Sequence, residues 1–171
     1  MIQLVDFLTK HPIIGFVGGV STVWLIISLL YTLCLWSKGI LPVWYRLGMA
    51  LSKRKIAVFA TTDFPNLRGM LVDSRLFAPS NIIQIDRASL KKAQSATLHL
   101  VHWKDFKMQL DDILRIKRDS DAIIVYAPQS EGLIDAANFD KINAERNAII
   151  VNMRGRLLND IFTSMITTNY E

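Results

Sequence analysis

The sequence predicts an α/β protein in which one N-terminal transmembrane helix precedes an open parallel sheet. Three observations support this prediction. Residues 13–36 contain no charged side chain, and about 20 apolar residues suffice to cross a bilayer. From Lys55 onward, short apolar segments alternate with amphipathic ones, as strands and helices do when they follow each other in turn. The apolar segments are mostly continuous, which is typical of strands buried on both faces.

The apolar segment near the N-terminus is predicted to be a membrane anchor and not a cleaved signal peptide. It is longer than the apolar region of roughly 7–15 residues in a signal peptide, and it lacks a preceding basic region and a cleavage site. We expect residues 1–12 to form an external stub and residues 13–36 to form the transmembrane helix. The single cysteine, Cys34, lies in this helix, and one cysteine builds neither a disulfide nor a zinc site within a chain.

The formal charge of +5 lies directly after the anchor. Residues 38–55 hold five basic side chains and no acidic one, whereas residues 56–171 carry 14 of each sign. The positive-inside rule therefore places the C-terminal domain in the cytoplasm, below the inner (plasma) membrane. The basic cluster is expected to attract membrane lipid, and the high pI gives no reason to expect direct binding to nucleic acid.

Two features of the anchor bear on assembly and on its junction with the domain. Gly15 and Gly19 form a small-xxx-small pair that lets two helices approach closely in lipid, so we expect a homo-oligomer that uses this face. Residues 37–54 are predicted to form a basic juxtamembrane connector, in which Pro42 breaks the helix.

Residues 55–171 are predicted to form five strands, each followed by a helix or a loop. The predicted strands are 55–60, 81–86, 97–103, 122–128 and 147–153. The third alternates apolar and polar residues, so it is predicted to have one wet face. The last helix carries an apolar stripe made of Leu157, Leu158, Ile161, Phe162, Met165 and Ile166. Five strands in a domain of this length match a small Rossmann-like or flavodoxin-like unit.

Three predicted strands end in residues suited to a ligand site, because ligands of open parallel sheets bind beyond the carboxyl ends of the strands. These residues are Thr61, Thr62 and Asp63 after the first strand, Gln129, Ser130 and Glu131 after the fourth, and Asn152, Arg154, Gly155 and Arg156 after the fifth. Arginine pairs bidentately with phosphate, and a helix N-terminus attracts anions. We therefore expect the Arg-Gly-Arg segment to bind a nucleotide-type ligand.

The same residues have structural alternatives. Gly155 would make the turn from strand to helix, and the two arginines would be solvated or would pair with Asp160 or Glu131. Thr61 and Asp63 would cap a helix.

Motifs of common enzymes are missing from the sequence. It has no Walker loop, no G-x-G-x-x-G and no nucleophile elbow, so we expect no cofactor. His99 and His102 are three residues apart on a predicted strand and face opposite sides, so no metal site is expected there. Glu131 is the candidate catalytic carboxylate. Its alternative role is that of a helix-start residue favoured by the dipole.

The order AIIVYAPQSEG, helix, NAIIVNMRGR, helix resembles the second half of Rossmann-like sensor and effector domains of bacterial antiviral defence. Membrane-anchored CARF proteins, which bind cyclic oligoadenylate, are similar in the hydroxyl-bearing turn Thr61-Thr62 and in the late basic residues Arg154 and Arg156. TIR domains, some of which cleave NAD, are similar in SDAIIVYAPQSEG, where Glu131 stands at the start of the predicted helix and not within it.

Three functions are therefore expected as alternatives. In the first, the cytoplasmic domain senses a nucleotide second messenger, and an oligomer signals to or acts on the membrane without being an enzyme. In the second, the chain is a membrane anchor that recruits a cytoplasmic protein complex. In the third, it is a TIR-like enzyme that cleaves NAD with Glu131.

Overall fold

The protein is an α/β structure with one long apolar N-terminal helix and a five-stranded parallel sheet. The structure is a computed structural model that describes residues 12–168, and it leaves out the side chains of residues 12–15, 17, 46–47 and 49–52. The predicted external stub lies outside the described residues except for Pro12. Contacts within the chain divide it into two units, Met1–Tyr45 and Arg46–Glu171.

Helix α1, Pro12–Lys53, supplies the first unit and extends into the second. Its segment Gly18–Tyr45 is long and apolar enough to cross a membrane, with a mean hydropathy of 1.8. The hydroxyl groups of Thr22, Ser28 and Thr32 donate to carbonyl oxygens of the preceding turn. Hydroxyls bonded in this way present no free donor to hydrocarbon. That this helix lies in a membrane, the type of membrane and the orientation all stay predictions.

Pro42 lies inside α1, so the predicted break at this residue is wrong. Proline removes one N–H donor, but the backbone is helical on both sides of it, and the helix runs through most of the predicted connector to Lys53. Gly19 is open, with no atom within 4 Å of the place where a side chain would begin. Gly15 lies outside the residues whose surroundings are described, and association through this pair stays a prediction.

The second unit contains five parallel strands, all within the predicted segments. They are β1 Ile56–Phe59, β2 Ile82–Gln84, β3 Leu98–His102, β4 Ala122–Tyr126 and β5 Ala148–Val151. Their order across the sheet is β2-β1-β3-β4-β5. The chain moves outward from β1 to β2 and then returns past β1 to β3. The direction of winding therefore reverses between β1 and β3, and the strand ends diverge there.

Helices cover both faces of the sheet. The apolar residues of α2, Phe64–Asp73, and of α6, Arg154–Thr167, pack on one face. The other face packs against α3 Trp103–Phe106, α4 Leu110–Ile116 and α5 Ala136–Ala144. Successive residues of a strand enter opposite cores, as Val58 and Phe59 do.

Short 3-10 turns complete the second unit at Pro79–Asn81, Leu90–Ser95, Lys107–Gln109 and Gln129–Glu131. The turn at Lys107–Gln109 separates α3 from α4. The stripe predicted for α6 is confirmed for Leu157, Ile161 and Met165, which are buried, and Leu158 and Phe162 are half-buried. Ile166 is exposed.

Strand β3 is buried along its whole length, so the predicted wet face is wrong. Helices on both sides of the sheet shield its polar side chains from water. His99 lies edge-on to Phe59 with the ring centres 5.7 Å apart, and main-chain groups of Ala93 and Ala96 lie near its ring nitrogens without full hydrogen-bond geometry. Burial lowers the pKa of His99, and the nearby carboxylate of Asp121 opposes this shift to a smaller extent.

Arg54, directly after α1, is buried and binds the C-terminal end of α6. Its guanidinium group donates to the carbonyl oxygen of Met165 at 2.6 Å and to the hydroxyl of Thr168 at 2.7 Å. It also donates to the carbonyl oxygen of Thr168. The last carbonyls of a helix carry partial negative charge, which favours a cation at this place.

Replacing Arg54 by methionine should destabilise the domain, because three acceptors lose the same donor group inside the protein. We expect a loss of about 2–4 kcal/mol. Thermal unfolding of the full chain in detergent should show a melting temperature lower by on the order of 10 °C.

The matched control for this substitution is Arg115→Met. The Arg115 side chain is 79% exposed and pairs with the exposed Asp112 at 3.5 Å, so its loss should cost less than roughly 0.5 kcal/mol. Equal effects of the two substitutions would show that Arg54 is not a structural clamp.

Candidate functional site

The carboxylate of Asp105 joins the ends of β1 and β3 where the winding reverses. Its Oδ2 atom accepts the N–H of Thr61 at 2.7 Å and the N–H of Thr62 at 3.0 Å, and its Oδ1 atom accepts the Thr62 hydroxyl at 3.3 Å. Arg87 donates to the main-chain oxygen of Asp105 at 2.8 Å. Successive N–H groups of a loop form an anion-binding concavity. Here a carboxylate of the protein itself occupies it.

The pKa of Asp105 reflects this position. Burial alone would raise it, but the N–H groups of Thr61 and Thr62 and the imidazole of His102 stabilise the anion and leave the pKa below the ordinary aspartate value. The carboxylate is therefore ionised at neutral pH, and it holds the two loops together as a charged acceptor.

His102, the last residue of β3, lies between two carboxylates. Its Nδ1 atom is 3.1 Å from Oδ2 of Asp105, and its Nε2 atom is 2.8 Å from Oε2 of Glu131. Neither nitrogen has the geometry of a hydrogen bond in this structure. Whichever nitrogen carries a proton therefore faces a carboxylate at short range. The His102 side chain is 2% exposed and that of Glu131 is 28% exposed, so this chain of acid and base groups runs from the interior to the surface.

Tyr126, the last residue of β4, adds a buried phenol to the same edge. Its ring centre lies 6.0 Å from that of His102. Burial raises the pKa of Tyr126, the charge of Arg154 lowers it, and the charges of Asp63 and Glu131 raise it again, with a net shift upward. The first residue of α6 and the loop after β1 thus act electrostatically on one buried phenol.

The two arginines on either side of Gly155 interact with different residues. Arg154 acts on Tyr126, whereas Arg156 lies 3.9 Å from Asp160 on the exposed side of α6. The alternative pairing of Arg156 with Asp160 is confirmed. Gly155 is the second residue of α6, and a side chain there would meet no atom within 4 Å, so the turn into the helix does not require glycine.

Glu131 does not start a helix, so its predicted position is wrong. It belongs to the 3-10 turn Gln129–Glu131, and α5 begins later, at Ala136. Gly132 follows Glu131 with a φ of 104°, a conformation that favours glycine and ends the turn. Asp135 caps α5 by accepting the N–H of Asn138 at 3.0 Å, which is the role predicted for a residue farther upstream.

The remaining predicted site residues lie at the same edge of the sheet. They differ in their exposure and in the hydrogen bonds that they already form. Gln129, Ser130 and Asn152 are exposed. The N–H groups of Thr61 and Thr62 are already bound to Asp105, which leaves the exposed Thr61 hydroxyl for a ligand. Asp63 precedes α2 without capping its backbone, and its Oδ1 atom accepts the side chain of Asn66 at 2.7 Å.

Four residues that organise the site were not predicted from the sequence: Arg87, His102, Asp105 and Tyr126. The position of His102 and Asp105 at the end of a predicted strand could have indicated these two. The rule that ligands bind beyond the carboxyl ends of strands was applied to three strands and not to β3, which is followed by Trp103, Lys104 and Asp105. Lys104 also reaches the site, with its Nζ atom 3.8 Å from Oε1 of Glu131.

Within residues 12–168, no group of three or more His, Cys, Asp or Glu residues is arranged to hold a metal ion. Comparison with known proteins gives no further assignment, since no family model, curated protein or solved structure matches the chain.

Replacing Asp105 by asparagine should change how stability depends on pH. The folded-state pKa of Asp105 is below the unfolded value of about 3.9, so its contribution is complete above that pH and is lost as the pH falls through the folded pKa. At neutral pH, Asp105→Asn should lower the free energy of unfolding by about 1–3 kcal/mol. Below about pH 4, the variant should lose less further stability than the wild type.

Chemical denaturation of the full chain at a series of pH values measures this difference. Asp112→Asn is the control, because the Asp112 side chain is 57% exposed and pairs only with an exposed arginine. Parallel pH profiles for the wild type and Asp105→Asn would contradict the proposed role of the carboxylate.

Proposed function

We propose that the chain is a single-pass protein of the inner (plasma) membrane whose cytoplasmic α/β domain binds a nucleotide-type ligand and signals to the membrane as a homo-oligomer. One observation carries this proposal. Arg154, at the N-terminus of α6, lies at the carboxyl edge of the sheet with the buried side chains of Tyr126 and His102 and the half-exposed carboxylate of Glu131. Ligands of open parallel sheets bind at this edge.

The strand order supports the proposal at the level of the fold. The order β2-β1-β3-β4-β5 is that of flavodoxin-like doubly wound sheets, which bind a nucleotide cofactor where the winding reverses. Fold alone does not determine function. The side chains at that edge therefore provide the stronger support for a nucleotide-type ligand.

The phosphate of such a ligand would bind at Arg154. Among the described residues, no side chain caps the N-terminus of helix α6. The N–H of Arg156 donates to the carbonyl oxygen of Met153, so the N–H groups of Arg154 and Gly155 are the ones that an anion would bind. The N–H groups of the loop after β1 could also bind a phosphate, but they already donate to the carboxylate of Asp105. The guanidinium group of Arg154 is exposed and adds a charged, bidentate donor.

The base of the ligand would contact apolar side chains that flank the same place. Met153 directly precedes Arg154 and is 55% exposed, and Leu133 follows Glu131 by two residues and is 87% exposed. Exposed apolar side chains beside convergent polar groups are typical of small-molecule sites. The combination favours a ligand with an anionic end and a flat apolar end over a bare phosphate.

Signalling to the membrane helix would use α6. Arg154 begins this helix at the proposed site, and Arg54, which directly follows α1, binds its last carbonyls. A helix of 14 residues is roughly 20 Å long. A ligand that shifts or rigidifies α6 would therefore act on the residue next to the membrane helix, which is a physical link between two sites.

Binding of nucleotides to the full chain tests the site. We expect a cyclic di-, tri- or tetranucleotide or NAD to raise the melting temperature, because a ligand at 100 times its dissociation constant stabilises by about 2.7 kcal/mol. Arg154→Ala should abolish the shift. Arg156→Ala is the matched control and should retain it, since Arg156 pairs with Asp160.

A shift that survives Arg154→Ala would contradict the proposed site. If no nucleotide shifts the melting temperature, the anchor that recruits a cytoplasmic protein complex becomes the better explanation.

The contact between His102 and Glu131 favours a second candidate, an enzyme that cleaves NAD. A half-exposed carboxylate 2.8 Å from a buried imidazole and 3.8 Å from the amine of Lys104 has the arrangement of an acid–base or nucleophilic group. In that case Glu131 would act on the glycosidic bond of NAD at the same edge of the sheet.

Nicotinamide release from NAD by the full chain tests the enzyme candidate. Glu131→Gln should reduce the rate by at least about 100-fold while leaving nucleotide binding intact. Glu145→Gln, which alters a carboxylate paired with Lys117 at 3.7 Å, should leave the rate unchanged. Wild-type protein that binds NAD without releasing nicotinamide would exclude this candidate.

A further inference from the structure

A polar pocket lies at the amino-terminal edge of the sheet, opposite the proposed nucleotide site. Its volume is about 330 Å³. It is lined by Arg118, Asp119, Ser120, Arg146, Asn147, Thr167 and Thr168. These residues come from the turn before β4, the turn before β5 and the C-terminal end of α6, and none of them belongs to the site at the carboxyl edge.

The backbone of the two turns gives the pocket a fixed wall. The N–H of Asp121 donates to the carbonyl oxygen of Arg118 at 3.0 Å and closes the first turn. The Asn147 side chain donates to the carbonyl oxygen of Asp119 at 3.0 Å and joins the second turn to the first. Asn147 has a φ of 56°, a left-handed conformation that asparagine tolerates.

The charges of the lining favour an anion. Arg118 is held in place by Asp121, whose two oxygens accept its Nε and terminal N–H groups at 3.1 and 3.0 Å. Arg146 is exposed and forms no ion pair with any described residue. Asp119 is the one carboxylate of the lining, and Asp121 already pairs with Arg118, so Arg146 is the guanidinium group that remains for an anion.

The polar groups of the pocket suit phosphate in particular. Guanidinium groups bind two oxygens of one phosphate, and Ser120 and Asn147 add hydroxyl and amide groups beside them. The volume of the pocket leaves room for more than the phosphate itself, as in a lipid headgroup or a small phosphorylated metabolite.

The pocket lies on the edge of the sheet at which the chain arrives from α1. Backbone bonds join Lys55 to Thr97 and Thr97 to Ala122 along this edge, and the N–H of Ile123 reaches Asn147. Thr168, which lines the pocket, is also the residue bound by Arg54. A phosphate at this place would therefore lie beside the contact that joins α6 to the end of α1.

We propose that this pocket is a phosphate-binding site, whose ligand is the phosphate of an anionic lipid headgroup or of a small soluble molecule. The proposal is independent of the nucleotide site, because it uses neither Arg154 nor any residue at the carboxyl edge.

Two probes test the proposal on the full chain in non-ionic detergent: short-chain phosphatidic acid and inorganic phosphate. Apparent affinities are measured for the wild type, Arg146→Gln and Asp119→Asn. Arg146→Gln should weaken binding at least about tenfold, because a charge-assisted pair is lost. Asp119→Asn should strengthen binding severalfold, because the opposing charge is removed.

Arg115→Gln is the matched control, because it removes an exposed arginine outside the pocket and leaves the basic flank of α1 unchanged. Melting temperatures without ligand confirm that all variants are folded. Equal affinities of Arg146→Gln and Arg115→Gln for both probes would overturn the proposal. Dependence on Arg146 with the lipid alone would assign a headgroup site, and the same dependence with inorganic phosphate would assign a soluble ligand.

Discussion

The carboxylate of Asp105 is the contact on which the carboxyl edge of this sheet depends. In a doubly wound sheet, the loops after β1 and β3 leave in opposite directions and open a crevice. Asp105 bridges that crevice by accepting the N–H groups of Thr61 and Thr62, and it faces His102 on its other side. The same charge therefore closes the loops and positions the imidazole that contacts Glu131.

This constraint also determines where an external anion can bind. The N–H groups after β1 would ordinarily attract phosphate, but they are bound to an internal carboxylate. At the N-terminus of α6, no carboxylate of the described residues accepts the N–H groups of Arg154 and Gly155, and Arg154 adds its own charge there. The two ends of α6 then have different tasks in our account, with the ligand at the first turn and Arg54 at the last.

Most elements of the domain could be predicted from the sequence, because apolar runs and helical stripes record which residues are buried. All five strands and the buried side of α6 follow from this pattern. Pro42 could not be interpreted locally, since one lost N–H does not end a long helix. The wet face expected for β3 was wrong because the face that carries His99 packs into the core formed by α3 and α4, the helices that follow β3 in the chain. An alternating pattern shows which residues of a strand are polar, but it does not show whether a helix packs against the polar face.

The candidate site was predicted in its location and only partly in its members. Strand ends indicate the edge of the sheet, so Glu131 and Arg154 could be found. The separation of Arg154 from Arg156 depends on the direction in which α6 leaves β5, and sequence spacing does not give it. The bond from Asp105 to Thr61 joins residues 44 positions apart, and no periodicity in the chain indicates such a pair.

Exchange of the backbone amides of Thr61 and Thr62 with deuterium, measured in the full chain, tests the central claim most directly. If Asp105 holds the two loops together, both amides are protected and exchange much more slowly than those of an open loop. In that case Asp105→Ala releases them while the amides of β4 remain protected. Exchange of Thr61 and Thr62 at the rate of an unstructured peptide in the wild type would contradict the account.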